Sequence, residues 1–253
     1  MTSLKINKKP SHAIIQIDNG KVNAINQALV DDLHQAFTEL EADDTIKGVI
    51  LTGRPHAFSA GLDMMSLAFS GPDDVRAFWH GFLQSLQTLV RFSKPFVCAM
   101  TGYAPAGATT IALCADYRVM AKGEKHVVGL HEFKMSMPIP ELMGDIYAYH
   151  LGEARAWKAV QEASLFNSDQ ALELGLVDES VDVEEVLPQA EKHLQKMIRI
   201  NPFTFQGSKA FMRKRLLKLV DRPLEPMVEQ LTKGWQDPSV RESVANFLSS
   251  LKK

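Results

Sequence analysis

Cysteine is scarce in this 253-residue chain: there are two, Cys98 and Cys114. Both sit in apolar runs without metal-ligand spacing, so they read as buried thiols rather than a disulfide framework or a zinc site. Charge of one sign is lacking too. Lys and Arg number 28 against 30 Asp and Glu, and a net charge of −2 gives no general attraction to nucleic acid or anionic membrane. No apolar run is long enough to span a bilayer, and the polar stretch from Met1 to Pro10 is not a signal peptide. These absences lead to an expected reducing, cytoplasmic setting. What is present, 45% hydrophobic and 23% charged residues, suits a globular chain with a sizeable core.

Periodicity changes along the chain. Residues 12–18 read as a strand closed by Asn19-Gly20, and Val22 to Ile25 as a short extended piece. Asn26 caps an expected helix over 27–41, with Leu29, Leu33, Phe37 and Leu40 on its inner face. Strands are expected at 46–52, 96–100, 116–121, 127–130 and 176–181. A long helix runs from Gly71-Pro72 to Phe92, with Val75, Phe78, Phe82, Leu86 and Leu89 inward. Further helices are expected at 138–150 and 152–163, with a short one capped by Ser168 and ending at Gly175. This alternation points to α/β layers with largely parallel strands. From about Asp182 no strand is evident, and helices near 183–199, 202–220, 223–235 and 239–251 are separated by Pro-containing breaks.

Two turns stand out. Phe58-Ser59-Ala60-Gly61-Leu62-Asp63 follows the apolar run Val49-Ile50-Leu51, and Gly102-Tyr103-Ala104-Pro105-Ala106-Gly107-Ala108 follows Phe96 to Met100. A strand that breaks into a turn and then a helix leaves backbone N–H groups unpaired at the helix start. Such donors can hold an anionic oxygen without a charged side chain. On the first six residues alone an ordinary strand-to-helix connection serves as well; the repeat of the arrangement shifts the balance.

With these turns the chain resembles the crotonase (enoyl-CoA hydratase/isomerase) superfamily, most nearly its Δ3,Δ2-enoyl-CoA isomerase branch. The resemblance covers nearly the whole chain and is most specific at 58–64, 102–107 and 129–132. It implies an α/β fold, a crotonase-like spiral of β-β-α units over 1–182 carrying an acyl-CoA site. A helical C-terminal region over 183–253 would pack a homotrimer or a dimer of trimers. It also implies that the N–H groups of Leu62 and Gly107 hold the thioester oxygen, and that Ala24, Ala60, Gly61, Asp63 and Met64 belong to the CoA channel.

Glu132 follows Gly129-Leu130-His131 and lies 25 positions after Gly107, where the family has its acidic residue. It is the expected catalytic acid/base. Hydratases of the family carry a second Glu three positions after the oxyanion Gly, and here that position is Thr110. One carboxylate does not easily position water and also move a second proton, but it can carry a proton from C2 to C4 of one substrate. The resemblance therefore implies isomerisation of a 3-enoyl-CoA to a 2-enoyl-CoA, without metal or redox cofactor, CoA being part of the substrate. His131 stands where the branch has Asn and is expected to shape the pocket or bond a neighbour. Phe247 lies where the family sets an aromatic residue against the adenine of a neighbouring subunit's CoA, or else packs the trimer. Ala108 and Ser136 replace common glycines, which bears on acyl-chain preference. Alternatives are another CoA-thioester reaction (hydration, decarboxylation or thioester hydrolysis) and a non-catalytic RNA-binding role for the basic run Lys209, Arg213, Lys214, Arg215 and Lys218. That run otherwise reads as a solvated helix face.

Overall fold

The computed structural model describes residues 2–250. The chain begins β1 (Leu4–Lys8), β2 (Ala13–Ile17), α1 (Gln27–Ala42), β3 (Val49–Thr52), β4 (His56–Ala57), α2 (Met64–Phe69) and α3 (Pro72–Arg91). It continues β5 (Phe96–Met100), β6 (Gly102–Pro105), α4 (Gly107–Leu113), β7 (Tyr117–Ala121), β8 (Val127–Gly129) and a 3-10 turn at Glu132–Met135. Then follow α5 (Glu141–Leu151), α6 (Glu153–Gln161), β9 (Phe166–Asn167), α7 (Ser168–Glu173) and β10 (Glu179–Val181). The rest is helical: a 3-10 turn at Val183–Glu185, α8 (Val186–Met197), α9 (Pro202–Met212), α10 (Lys214–Val220), α11 (Glu225–Gln236) and α12 (Pro238–Ser250).

Six strands form one sheet in the order β1-β2-β3-β5-β7-β10, parallel except where β1 meets β2. Because side chains alternate along a strand, each strand serves two faces. Ile15, Leu51, Cys98 and Met120 join the main core under α1, α3 and α4, whereas Ile14, Ile50, Val97 and Val119 pack against Val186, Ala190 and Leu194 of α8. That two-sided burial explains why these strands read as continuous apolar runs. A second sheet, β4-β6-β8-β9, stacks beside the first and carries both turns toward Glu132.

Several expected boundaries move. The polar N-terminus forms β1, which pairs antiparallel with β2. Residues 102–105 are strand β6, not turn, because they pair with β4 and β8. Asn167, not Ser168, caps α7, in a capping box with Gln170. The last strand starts at Glu179, because the N–H groups of Leu176 and Val177 turn back to the Ala171 carbonyl. The helix expected from Pro138 begins at Glu141, after Ser136 adopts a left-handed φ of 54°. The helix expected over 202–220 breaks at Arg213, whose guanidinium donates to the Cys114 and Ala115 carbonyls at 2.9 and 2.7 Å. The expected helix over 239–251 is α12, and Leu251 lies outside the described residues.

Candidate active site

The first turn is stitched to the segment before α1. Ile25 N–H donates to the Gly61 carbonyl at 2.8 Å, and Asp63 N–H to the Ile25 carbonyl at 2.9 Å. Between them the Leu62 N–H is left without a partner among the described residues. Gly61 takes φ +84°, a conformation that favours glycine. Asp63 then caps α2, its carboxylate accepting from Ser66 N–H at 3.0 Å and Ser66 Oγ–H at 2.7 Å. Asn23, buried at φ 52°, locks the adjoining backbone by donating to the Phe58 carbonyl at 3.1 Å.

The second turn is the single residue Ala106, at φ 56° and ψ −126°, from which α4 starts. As the first residue of α4, Gly107 has no intrahelical acceptor for its N–H. A methyl group on Gly107 would lie 2.8 Å from Leu62 Cδ2 and 3.1 Å from Phe82 Cζ. The two turns are therefore in contact at the residues whose N–H groups are unpaired. Thr109 fastens this corner to β8: its hydroxyl donates to the Ala104 carbonyl at 2.5 Å and accepts from Gly129 N–H at 2.8 Å.

β8 ends at Gly129, three residues before Glu132, which opens a 3-10 turn. Glu132 is 2% exposed. Neither carboxylate oxygen has a hydrogen-bond partner among the described residues. Burial pushes its pKa up from 4.5 to about 7, tempered by the nearby N–H groups of Glu132 itself and His131. His131 is shifted down, first by burial and then by Lys134, and its Nδ1 is buried and unpaired. The Phe247 ring from α12 meets the His131 ring edge-on, centroids 6.5 Å apart.

Glu132 faces a cavity of about 410 Å³. Of the residues expected at the site, Ala24, Ala60, Leu62, Asp63, Met64, His131, Glu132 and Phe247 line this one space. Gly61 and Gly107 stand behind its wall, where they set the backbone. Among the described residues, the only acids on the wall are Asp63, committed to its cap, and Glu132. Phe247 reaches the cavity of its own chain, where the resemblance had set it against a neighbour's CoA. Sequence reasoning missed Met65, Met135, Met137 and Leu248 on the wall. The crowding of methionines around both motifs, among 11 in the chain, was the available signal. Thr110 is fully buried behind the wall, its hydroxyl 3.5 Å from the Ala106 carbonyl. Among the described residues no three His, Cys, Asp or Glu side chains gather as a metal site.

The basic run does not form one face. Lys209 and Arg213 both pair with Asp116, at 2.7 and 3.1 Å, and Arg215 with Glu153 at 2.9 Å.

The sequence profile described as "Enoyl-CoA hydratase/isomerase" matches residues 7–253. The chain belongs to this family. It is 31% identical over 241 residues to enoyl-CoA delta isomerase 1, mitochondrial, of Mus musculus, covering 95% of this chain and 83% of that protein. A crystal structure of human mitochondrial delta3-delta2-enoyl-CoA isomerase superposes with a TM-score of 0.94 at 27% identity, covering 99% of this chain and 98% of that one. A crotonyl-CoA hydratase of Syntrophomonas wolfei is 24% identical over 255 residues, covering 98% of this chain and 95% of that protein. The crotonase fold expected from the sequence is the fold observed. No helix among the described residues is long and apolar enough to cross a membrane.

Proposed function

We propose that this enzyme shifts the double bond of 3-enoyl-CoA thioesters to give 2-enoyl-CoA thioesters, with Glu132 as the single acid/base. The observation that carries this reading is one buried, unpaired carboxylate facing the cavity, with the wall's other acid engaged as a helix cap. In this reading the thioester carbonyl oxygen sits between the N–H groups of Leu62 and Gly107. Glu132 removes a C2 proton, and the two N–H donors stabilise the resulting enolate. Loss of one such donor costs roughly 3–4 kcal/mol in other enzymes. The protonated Glu132 then gives its proton to C4 of the same substrate, and the carboxylate is restored. A pKa near 7 suits both halves of this cycle at neutral pH. CoA enters as part of the substrate, and no resident metal or redox group is needed.

Hydration, the activity named for some relatives, would call for a second group to hold the water, and Thr110 supplies no acid there. The Mus musculus relative bears a mitochondrial name, and the cytoplasmic reading of this chain rests on its two buried thiols alone. A trimer, or a dimer of trimers, fits the apolar side chains that α9 leaves exposed, Phe203, Phe211 and Met212. Sedimentation of the purified protein tests the assembly.

The activity test follows the ultraviolet absorbance of the conjugated product from 3-hexenoyl-CoA, beside Glu132→Gln. Conversion that collapses in the variant is expected. Binding of CoA thioesters with no conversion of any 3-enoyl chain length would overturn the isomerase reading.

A further inference from the structure

A tyrosine that the mechanism does not use, Tyr147 of α5, is fully buried near Glu132 and outside the cavity wall. Its hydroxyl has no hydrogen-bond partner among the described residues, and neither has either Glu132 oxygen. A donor without an acceptor and an acceptor without a donor are thus buried in one region, and an unpaired buried polar group is costly unless it serves a purpose. The backbone before Glu132 draws the two together. The Leu130 N–H faces Tyr147 Oη, and the His131 and Glu132 N–H groups face the Glu132 carboxylate. Consecutive residues stand about 3.8 Å apart, so hydroxyl and carboxylate share one short segment. Burial, opposed by the Leu130 N–H and reinforced by the Glu132 charge, pushes the Tyr147 pKa up from its ordinary 10. The hydroxyl therefore keeps its proton and has it to donate.

We propose that Tyr147 is a positioning residue for Glu132: its O–H donates to one oxygen of the ionised carboxylate and leaves the other oxygen to carry the proton between C2 and C4. The proton's route rests on the isomerase reading; the Tyr147–Glu132 pairing does not. Among the described residues no other group competes for the place. On α5, Glu141 and Asp145 are engaged by Arg222, and His150 by Arg118. On the cavity wall, Asp63 is held by Ser66, and Tyr103 and His131 are the remaining titratable side chains. Lys134, in the same 3-10 turn, acts on His131. α6 and α12 pack against this turn without setting a charged side chain on the wall.

The test follows the Glu132 carboxyl by carbon-13 NMR in protein labelled at its glutamate carboxyls, the signal being assigned by its loss in Glu132→Gln. Tyr147→Phe removes the hydroxyl and keeps the ring. A hydrogen bond to a charged group is strong enough to move a pKa by about one unit or more, so the Glu132 midpoint should rise by about that much in the variant. The acidic limb of kcat/KM for 3-hexenoyl-CoA should move up with it, giving values about tenfold lower at about pH 6 and a gap that closes above about pH 9. Tyr147→Met, which also lacks the hydroxyl but re-packs the space, should shift the midpoint equally. An unmoved midpoint in Tyr147→Phe, or a shift confined to Tyr147→Met, would overturn the pairing. So would a loss of activity of one size at every pH, the mark of a packing defect. A raised midpoint with no turnover of 3-enoyl-CoA would sink the isomerase reading and leave the pairing standing.

Discussion

Burial of Glu132 sets activity and stability against each other. The carboxylate must be ionised to remove a C2 proton, and its pKa stands at about 7. The logarithm of kcat/KM should therefore rise with unit slope below about pH 7 and level off above it. A plateau reaching down to pH 5 would mean that another group, or an unshifted carboxylate, is the base. Stability should run the other way. The folded state holds the proton more tightly than the unfolded chain, whose Glu titrates near 4.5, so stability falls as pH rises from 4.5 through 7. The loss amounts to about 3 kcal/mol above that window. Glu132→Gln removes the titration while keeping the shape. It should lose about 10²–10⁴-fold in activity and, in urea denaturation at pH 8, be more stable than the parent. Equal stability of the two proteins at pH 8 would show that the carboxylate is hydrated, not buried.

α4 acts as an element by presenting its first N–H group, that of Gly107, and the turn before α2 presents that of Leu62. Gly107→Ala should push the two turns apart, since the new methyl would meet Leu62 Cδ2 at 2.8 Å. A fall in kcat of about 10²–10³ is expected, the usual cost of a displaced oxyanion donor, with the circular dichroism spectrum preserved. Asp63→Ala removes the α2 cap and should cost about 1 kcal/mol, whereas Asp63→Asn keeps an acceptor for Ser66 and should recover most of it. If Asn proves as damaging as Ala, Asp63 acts through its charge and not as a cap. The elements were legible where one signal dominated: Asn26 caps α1, and the inner stripes of α1 and α3 are buried as their spacing requires. They were obscured where tertiary partners decide. Residues 102–105 look like turn because Gly102 and Pro105 are turn residues, yet Gly102 is there because a Cβ would lie 2.1 Å from the His56 carbonyl carbon. The break at Arg213 depends on the Cys114 and Ala115 carbonyls, about a hundred residues back in the chain and invisible to local periodicity. At the site, the motif residues were readable, but Leu248 and Met137 reach the wall only through the docking of α12 and the turn after Glu132.

At the scale of the molecule, one half-buried group links α4, α5 and β7 to the loop before β10, and its pH dependence opposes that of Glu132. Arg118, on β7, grips Asp178 through Nε and Nη2 at 2.9 and 3.0 Å. Its Nη1 donates to His150 Nδ1 at 2.9 Å, and His150 Nε2–H donates to the Leu113 carbonyl at 2.8 Å. These partners require the neutral imidazole with its proton on Nε2. Burial first, and then the Arg118 charge, hold the His150 pKa down to about 3 from 6.5. The unfolded chain therefore binds a proton that the folded one refuses. Stability from this group is complete above pH 6.5 and is lost as pH falls toward 3. Glu132 has the opposite slope from pH 4.5 to 7, so the two contributions oppose each other between 4.5 and 6.5. Each slope approaches about 1.4 kcal/mol per pH unit. His150→Gln keeps an acceptor for Arg118 and a donor for Leu113 without titrating. Across this window the parent should be nearly level in stability, Glu132→Gln should gain stability with rising pH, His150→Gln should lose it, and the double variant should again be level. Four parallel curves would show that neither group is buried as described, because a solvated carboxylate and imidazole would titrate alike in the folded and unfolded chain.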